Sequence, residues 1–261
     1  MMASGEHFIL VHGAGHGAWC WYRLAPLLKL SGHRVDSLDL CASGINPKQL
    51  DEVESLSDYA HPLIELMNSL PPDDPVILVG HSYAGYVISL AMEKFPEKIR
   101  TAVYLTANMP SSVEPPATTQ QEFFKRTPME SLLDCQIQVD ERQGNLPISA
   151  SFGSDYLEKV AYQGCQPEDK ELAKTLLRPF KFFLKDLAQE SLLTKAKFGS
   201  VDRIYVVCKE DGLIKEDLQL WMIENSPTKE VKHIEAGHMV MLSKPGDLCQ
   251  CLLEIAETNY Y

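Results

Sequence analysis

The chain has 261 residues, 45% hydrophobic and 23% charged, enough for one sizeable globular unit with a full core. Twenty-four Lys and Arg against thirty-six Asp and Glu leave a net charge of −12 with no basic cluster to offset it, so nucleic acid and membrane surfaces are not expected as partners. Seven scattered cysteines form no C-x-x-C pair, which argues against a disulfide framework or a zinc site; with a short polar start and no long apolar span, the chain is expected to be unexported and cytoplasmic.

In chain order, the apolar run Phe8 to Val11 predicts a buried strand that ends in the loop His12-Gly13-Ala14-Gly15-His16-Gly17. Trp19 to Leu30 has helical spacing, Arg34 to Leu40 strand character, and Leu56 to Leu70 helical spacing behind a Ser55/Ser57 start. Val76 to Val79 is a fully apolar strand, Tyr83 to Phe95 a helix stopped by Pro96, and Thr101 to Leu105 another strand. This alternation implies parallel strands with crossover helices. The rhythm breaks at Met109-Pro110. A Ser/Pro/Thr-rich stretch and the amphipathic pieces Glu122 to Leu133 and Glu168 to Leu177 suggest an inserted, mainly helical cap over 109–186, between core segments 1–108 and 187–261. The core then resumes with strand Ile204 to Cys208, helix Asp217 to Glu224, strand Glu230 to Ile234 and helix Pro245 to Glu257.

The strongest local signal is Gly80-His81-Ser82-Tyr83-Ala84-Gly85, set between an apolar strand and a helix, the context of a nucleophile elbow. Residues two before and two after such a serine must be small, a need met by Gly80 and by Ala84, one methyl larger than the usual glycine. A plain helix cap would also place a serine here. A serine hydroxyl needs a base, and the base an orienting acid. Asp211 and His238 each follow a predicted strand, so both project from the strand ends where Ser82 stands, and the order Ser82, Asp211, His238 is that of α/β-hydrolases. Glu210 competes with Asp211, and His233 and His81 compete with His238. Backbone amides of Ala14 and Tyr83 would stabilise an oxyanion, at about 3 to 4 kcal/mol per well-placed donor. A nucleotide-binding reading of the glycine loop fails for want of a third glycine in place, with Asp39 as the one candidate ribose contact.

His12 to Trp21, Gly80-His81-Ser82, Ala91 to Pro96, Phe198 to Val201, Val206 to Asp211 and Gly237-His238-Met239 together resemble the plant methylesterase and hydroxynitrile lyase family. The resemblance spans essentially the whole chain and thins in the cap. It implies an α/β-hydrolase fold, a triad of Ser82, Asp211 and His238, no cofactor or metal, and hydrolysis of methyl esters of small hormones or alkaloid intermediates. Relatives dimerise, so a homodimer is open to this chain. The lyases of the family carry threonine where Gly13 stands and lysine where Met239 stands. Without that cation departing cyanide has no stabilising charge, which favours the esterase branch. Salicylate-type esterases tend to carry a tryptophan near Leu132, and leucine and glycine where this chain has Tyr83 and Ala84, so the acyl pocket is expected to be reshaped.

The resulting expectation is a serine carboxylesterase for a methyl ester of a small, mostly apolar plant metabolite, with Gly13, His16, Tyr83, Leu132 and Met239 as substrate contacts. A substrate with a carbonyl beta to the ester would lose carbon dioxide after hydrolysis. The alternatives are a hydroxynitrile lyase and a hydrolase-fold hormone-binding protein without turnover. Of the cap aromatics Phe123, Phe124, Phe152, Tyr156, Tyr162, Phe180, Phe182 and Phe183, most are expected to serve packing.

Overall fold

The computed structural model describes residues 5–258. In chain order the strands are β1 (His7–Val11), β2 (Arg34–Leu38), β3 (Val76–His81), β4 (Ile99–Leu105), β5 (Gln136–Asp140), β6 (Leu146–Ser151), β7 (Phe180–Lys181), β8 (Arg203–Cys208) and β9 (Glu230–Ile234). Six of them form one sheet in the order β2-β1-β3-β4-β8-β9, every adjacent pair parallel. β1 and β3 are fully buried, which explains why they read as unbroken apolar runs: helices cover both faces, so neither side of the strand needs to be polar.

The chain leaves β1 in one direction to form β2 and returns past it to form β3. Loops that follow β1 and β3 therefore part at the carboxyl edge and open a crevice there, the usual ligand position in such sheets. The helix Leu56–Ser69 begins where Ser55 accepts from the Asp58 amide and Asp58 returns the bond to the Ser55 amide, a reciprocal cap.

One expectation needs correction. The helix expected over Trp19 to Leu30 is two pieces, a 3-10 turn Ala18–Trp21 and an α-helix Leu24–Leu30. Pro26 lacks the N–H that a continuous helix would bond back to Tyr22, so it fits only in the first turn of a new helix. The cap region is mainly helical, with helices such as Ala117–Arg126 and Pro167–Leu176, and it also holds a small antiparallel sheet β5-β6-β7 that the sequence reading did not foresee. The alternation Gln136-Ile137-Gln138-Val139-Asp140 is the strand signal, and Gly144 and Asn145, both at positive φ, make the turn into β6.

Candidate active site

Ser82 follows β3 directly and has φ 56°, a left-handed conformation that side chains other than glycine adopt at a cost. The surroundings hold it there. The Ser82 amide donates to Leu105 O at 3.3 Å, its carbonyl accepts from Gly85 N at 3.1 Å and Asn108 N at 3.0 Å. A methyl added at Gly13 would sit 2.9 Å from Ser82 Cβ, so the glycine loop after β1 packs against the elbow only because it lacks a side chain there.

Asp211 and His238 come together as the sequence suggests. His238 Nδ1 donates to Asp211 Oδ2 at 2.7 Å, and Thr106 Oγ1 donates to the same oxygen at 2.5 Å. The other oxygen accepts from the amides of Leu213 at 2.7 Å and Ile214 at 2.9 Å. Asp211 is 4% and His238 2% exposed, so this pair works away from bulk water, where its hydrogen bonds orient it firmly. Among the described residues no hydrogen bond joins Ser82 Oγ to His238 Nε2.

The rivals have other places. Glu210 and His233 are exposed. His81 donates from Nε2 to the His238 carbonyl at 2.9 Å and lies with its ring centroid 4.6 Å from that of His238. Burial, reinforced by the nearby His238, pushes its pKa well below the ordinary range, so it is a neutral brace for the backbone of residue 238. Asp39 accepts from the amides of Ala18 at 2.7 Å and Ile45 at 3.1 Å, which gives it a role in holding the loop backbone.

A cavity enclosing about 640 Å³, its mouth included, opens above Ser82. Ala14, Tyr83 and Leu132 line it; Gly13, His16 and Met239 do not. His16 is buried, donating from Nδ1 to Ala14 O at 2.8 Å and meeting Tyr162 Oη at 2.8 Å through Nε2, with the Trp19 and Tyr162 rings stacked against it. Burial lowers its pKa to about 3, so it stays neutral and shapes the loop that carries Ala14. Met239 is fully buried. Among the described residues neither the Ala14 nor the Tyr83 amide N–H is spent on a hydrogen bond.

Six of the eight cap aromatics, Phe123, Phe124, Phe152, Tyr156, Phe180 and Phe182, line the cavity, more than packing alone would require. Tyr162 and Phe183 do not. Sequence reasoning also missed Thr106, Asn108, Gln120, Cys135, Ile137 and Ala150. For Ile137 the alternation of β5 was a usable signal; for Thr106 and Asn108, the polar residues directly after β4 were another. Cys135 is the one cysteine on the cavity wall, and burial raises its pKa, which keeps it a thiol and a poor nucleophile. Among the described residues no cluster of His, Cys, Asp and Glu could hold a metal ion, and no helix is long and apolar enough to cross a membrane.

Comparison with known proteins identifies the family and the fold. A model of the alpha/beta hydrolase family matches residues 8–250. Methylesterase 10 of Arabidopsis thaliana is 47% identical over 252 residues, 96% of this chain and 92% of that protein. Norfluorocurarine synthase 2 of a Strychnos species is 48% identical over 254 residues, 97% of this chain and 96% of that protein. A crystal structure of polyneuridine aldehyde esterase aligns with a TM-score of 0.91 at 41% identity, over 97% of this chain and 99% of that one; the enzyme is known from Rauvolfia serpentina. Fold, sequence and neighbours converge: the chain belongs to the alpha/beta hydrolase family, in its plant methylesterase branch.

Proposed function

We propose that this protein is a serine carboxylesterase that hydrolyses the methyl ester of a small, mostly apolar plant metabolite, with Ser82 as nucleophile, His238 as general base and acid, and Asp211 as the orienting carboxylate. The observation that carries this reading is the Asp211–His238 hydrogen bond at the same sheet edge as a strained serine that faces an apolar cavity. His238 takes the Ser82 proton as Oγ attacks the ester carbonyl. The unspent amides of Ala14 and Tyr83 receive the oxyanion. His238 then protonates departing methanol and activates the water that frees the acid. Substrate entry brings Ser82 Oγ and His238 Nε2 into hydrogen-bonding contact, since such bonds commonly tighten only in the complex.

Residues 109–186 act as the cap that roofs the cavity. No cationic side chain lines it, so cyanide departing from a cyanohydrin would meet an apolar wall, which favours ester hydrolysis over lyase chemistry. The test is twofold. Fluorophosphonate labelling should be present in the natural protein and lost in Ser82→Ala, and a panel of hormone and alkaloid methyl esters should release methanol, followed by mass spectrometry. A folded protein that neither labels nor releases methanol would instead be a binding protein. Loss of carbon dioxide after hydrolysis is excluded if the intact acid is the sole stable product of a β-carbonyl ester.

A further inference from the structure

In a cavity lined mostly by aromatic and aliphatic side chains, two neutral amides stand out. Asn108 and Gln120 are 5% and 3% exposed, yet both border the empty space. Asn108 Nδ2 reaches Gln120 Oε1 at 3.4 Å, longer than a good N–H···O bond. Asn108 Oδ1 and Gln120 Nε2 have no hydrogen-bond partner among the described residues. Turning both amides over exchanges their atoms and changes nothing essential: one donor and one acceptor stay unspent in either orientation. The buried Tyr86 hydroxyl interacts with the Asn108 side chain but makes no hydrogen bond of good geometry. Both side-chain amides face the cavity rather than being sealed from it, so a ligand that expels water there must offer them partners or leave them unpaired at a cost.

Resting on the reading that this cavity takes the acyl part of an ester, we propose that Asn108 and Gln120 are specificity-determining residues that receive one neutral hydroxyl group on an otherwise apolar acyl body. A hydroxyl both donates and accepts, so it satisfies the pair at once. A ketone meets only the donor, an alkyl group meets neither, and a carboxylate finds no cation among the lining residues. The position is fixed relative to Ser82, because the backbone N–H of Asn108 donates to Ser82 O at 3.0 Å. Gln120 comes from the helix Ala117–Arg126, so the two amides meet across the boundary between sheet edge and cap.

The test compares methyl cyclohexanecarboxylate with the isomers of methyl 3- and 4-hydroxycyclohexanecarboxylate. One hydroxylated isomer should be preferred in kcat/KM by about ten- to a hundredfold, and Asn108→Leu or Gln120→Leu should bring that ratio to about one. Calorimetry of the same esters on Ser82→Ala reads the preference as affinity, without turnover and without altering the amides. Equal affinities there overturn the inference whatever the esterase activity. Equal turnover of all these esters also overturns it and leaves the esterase proposal standing. Preferential binding without turnover or fluorophosphonate labelling supports the amide pair and defeats the esterase proposal instead.

Discussion

Gly85 and Asn108 touch through their backbones: a methyl group at residue 85 would stand 1.9 Å from the Asn108 carbonyl oxygen. The segment that follows β4 is thereby pressed against the start of the helix behind Ser82, and it delivers Thr106 to Asp211 and Asn108 to the cavity. Gly85→Ala should force that segment away. A stability loss of about 1 to 3 kcal/mol is expected, together with a drop in kcat as the elbow and the acid lose their common support. Thermal unfolding and steady-state kinetics on one methyl ester check both; an unchanged melting temperature would show that the segment yields freely.

Thr106 is a second pressure point. It holds φ 37° and gives its hydroxyl to Asp211 Oδ2, the oxygen that also receives His238. Thr106→Val keeps the shape and removes the donor. A hydrogen bond to a charged group contributes about 1.5 to 3 kcal/mol, so stability should fall by roughly that much, and kcat should fall about tenfold with little change in KM, because the acid orients His238 less firmly. Equal kcat in the two proteins would mean that the Leu213 and Ile214 amides suffice.

Buried histidines set the response to acid. Burial lowers His12 from 6.5 to about 4 and His16 from 6.5 to about 3. Below about pH 6.5 the unfolded chain therefore takes up protons that the folded chain refuses, and the unfolded state gains. The stabilisation is full above that value and is lost as pH falls toward 4, by about 1.4 kcal/mol per pH unit for each imidazole. Urea midpoints between about pH 7 and about pH 5 should slope accordingly, and His16→Gln should reduce the slope. A flat profile in the natural protein would contradict neutral burial.

Leu132 borders the cavity from the cap side. Leu132→Trp adds an indole to a space already ringed by aromatics, and it should cut kcat/KM for bulky polycyclic methyl esters about tenfold or more while sparing small planar ones. Activities on methyl benzoate and on a polycyclic ester, taken as a ratio, give the answer. An unchanged ratio would place the acyl group elsewhere in the cavity.

The core was legible because burial on both faces writes itself into sequence as continuous apolar runs, and because β3, β8 and β9 end next to Ser82, Asp211 and His238 in chain order. The cap was harder. Its strands are short and half-exposed, Pro147 interrupts β6, and β7 spans only Phe180–Lys181, so no periodicity accumulates. His16 and Met239 carry polar and soft side chains in motif positions, yet tertiary packing turns both away from the cavity. Nothing in local sequence distinguishes a histidine that meets ligand from one that holds a neighbouring carbonyl.

The Tyr83 hydroxyl donates to Phe182 O at 2.5 Å. The residue whose amide we propose as an oxyanion donor is thus latched by its own side chain to the Phe182 backbone in the roof of the cavity. A displacement of the Phe182 segment large enough to admit a bulky ester would break this bond, so the roof at that point and residue 83 are mechanically coupled.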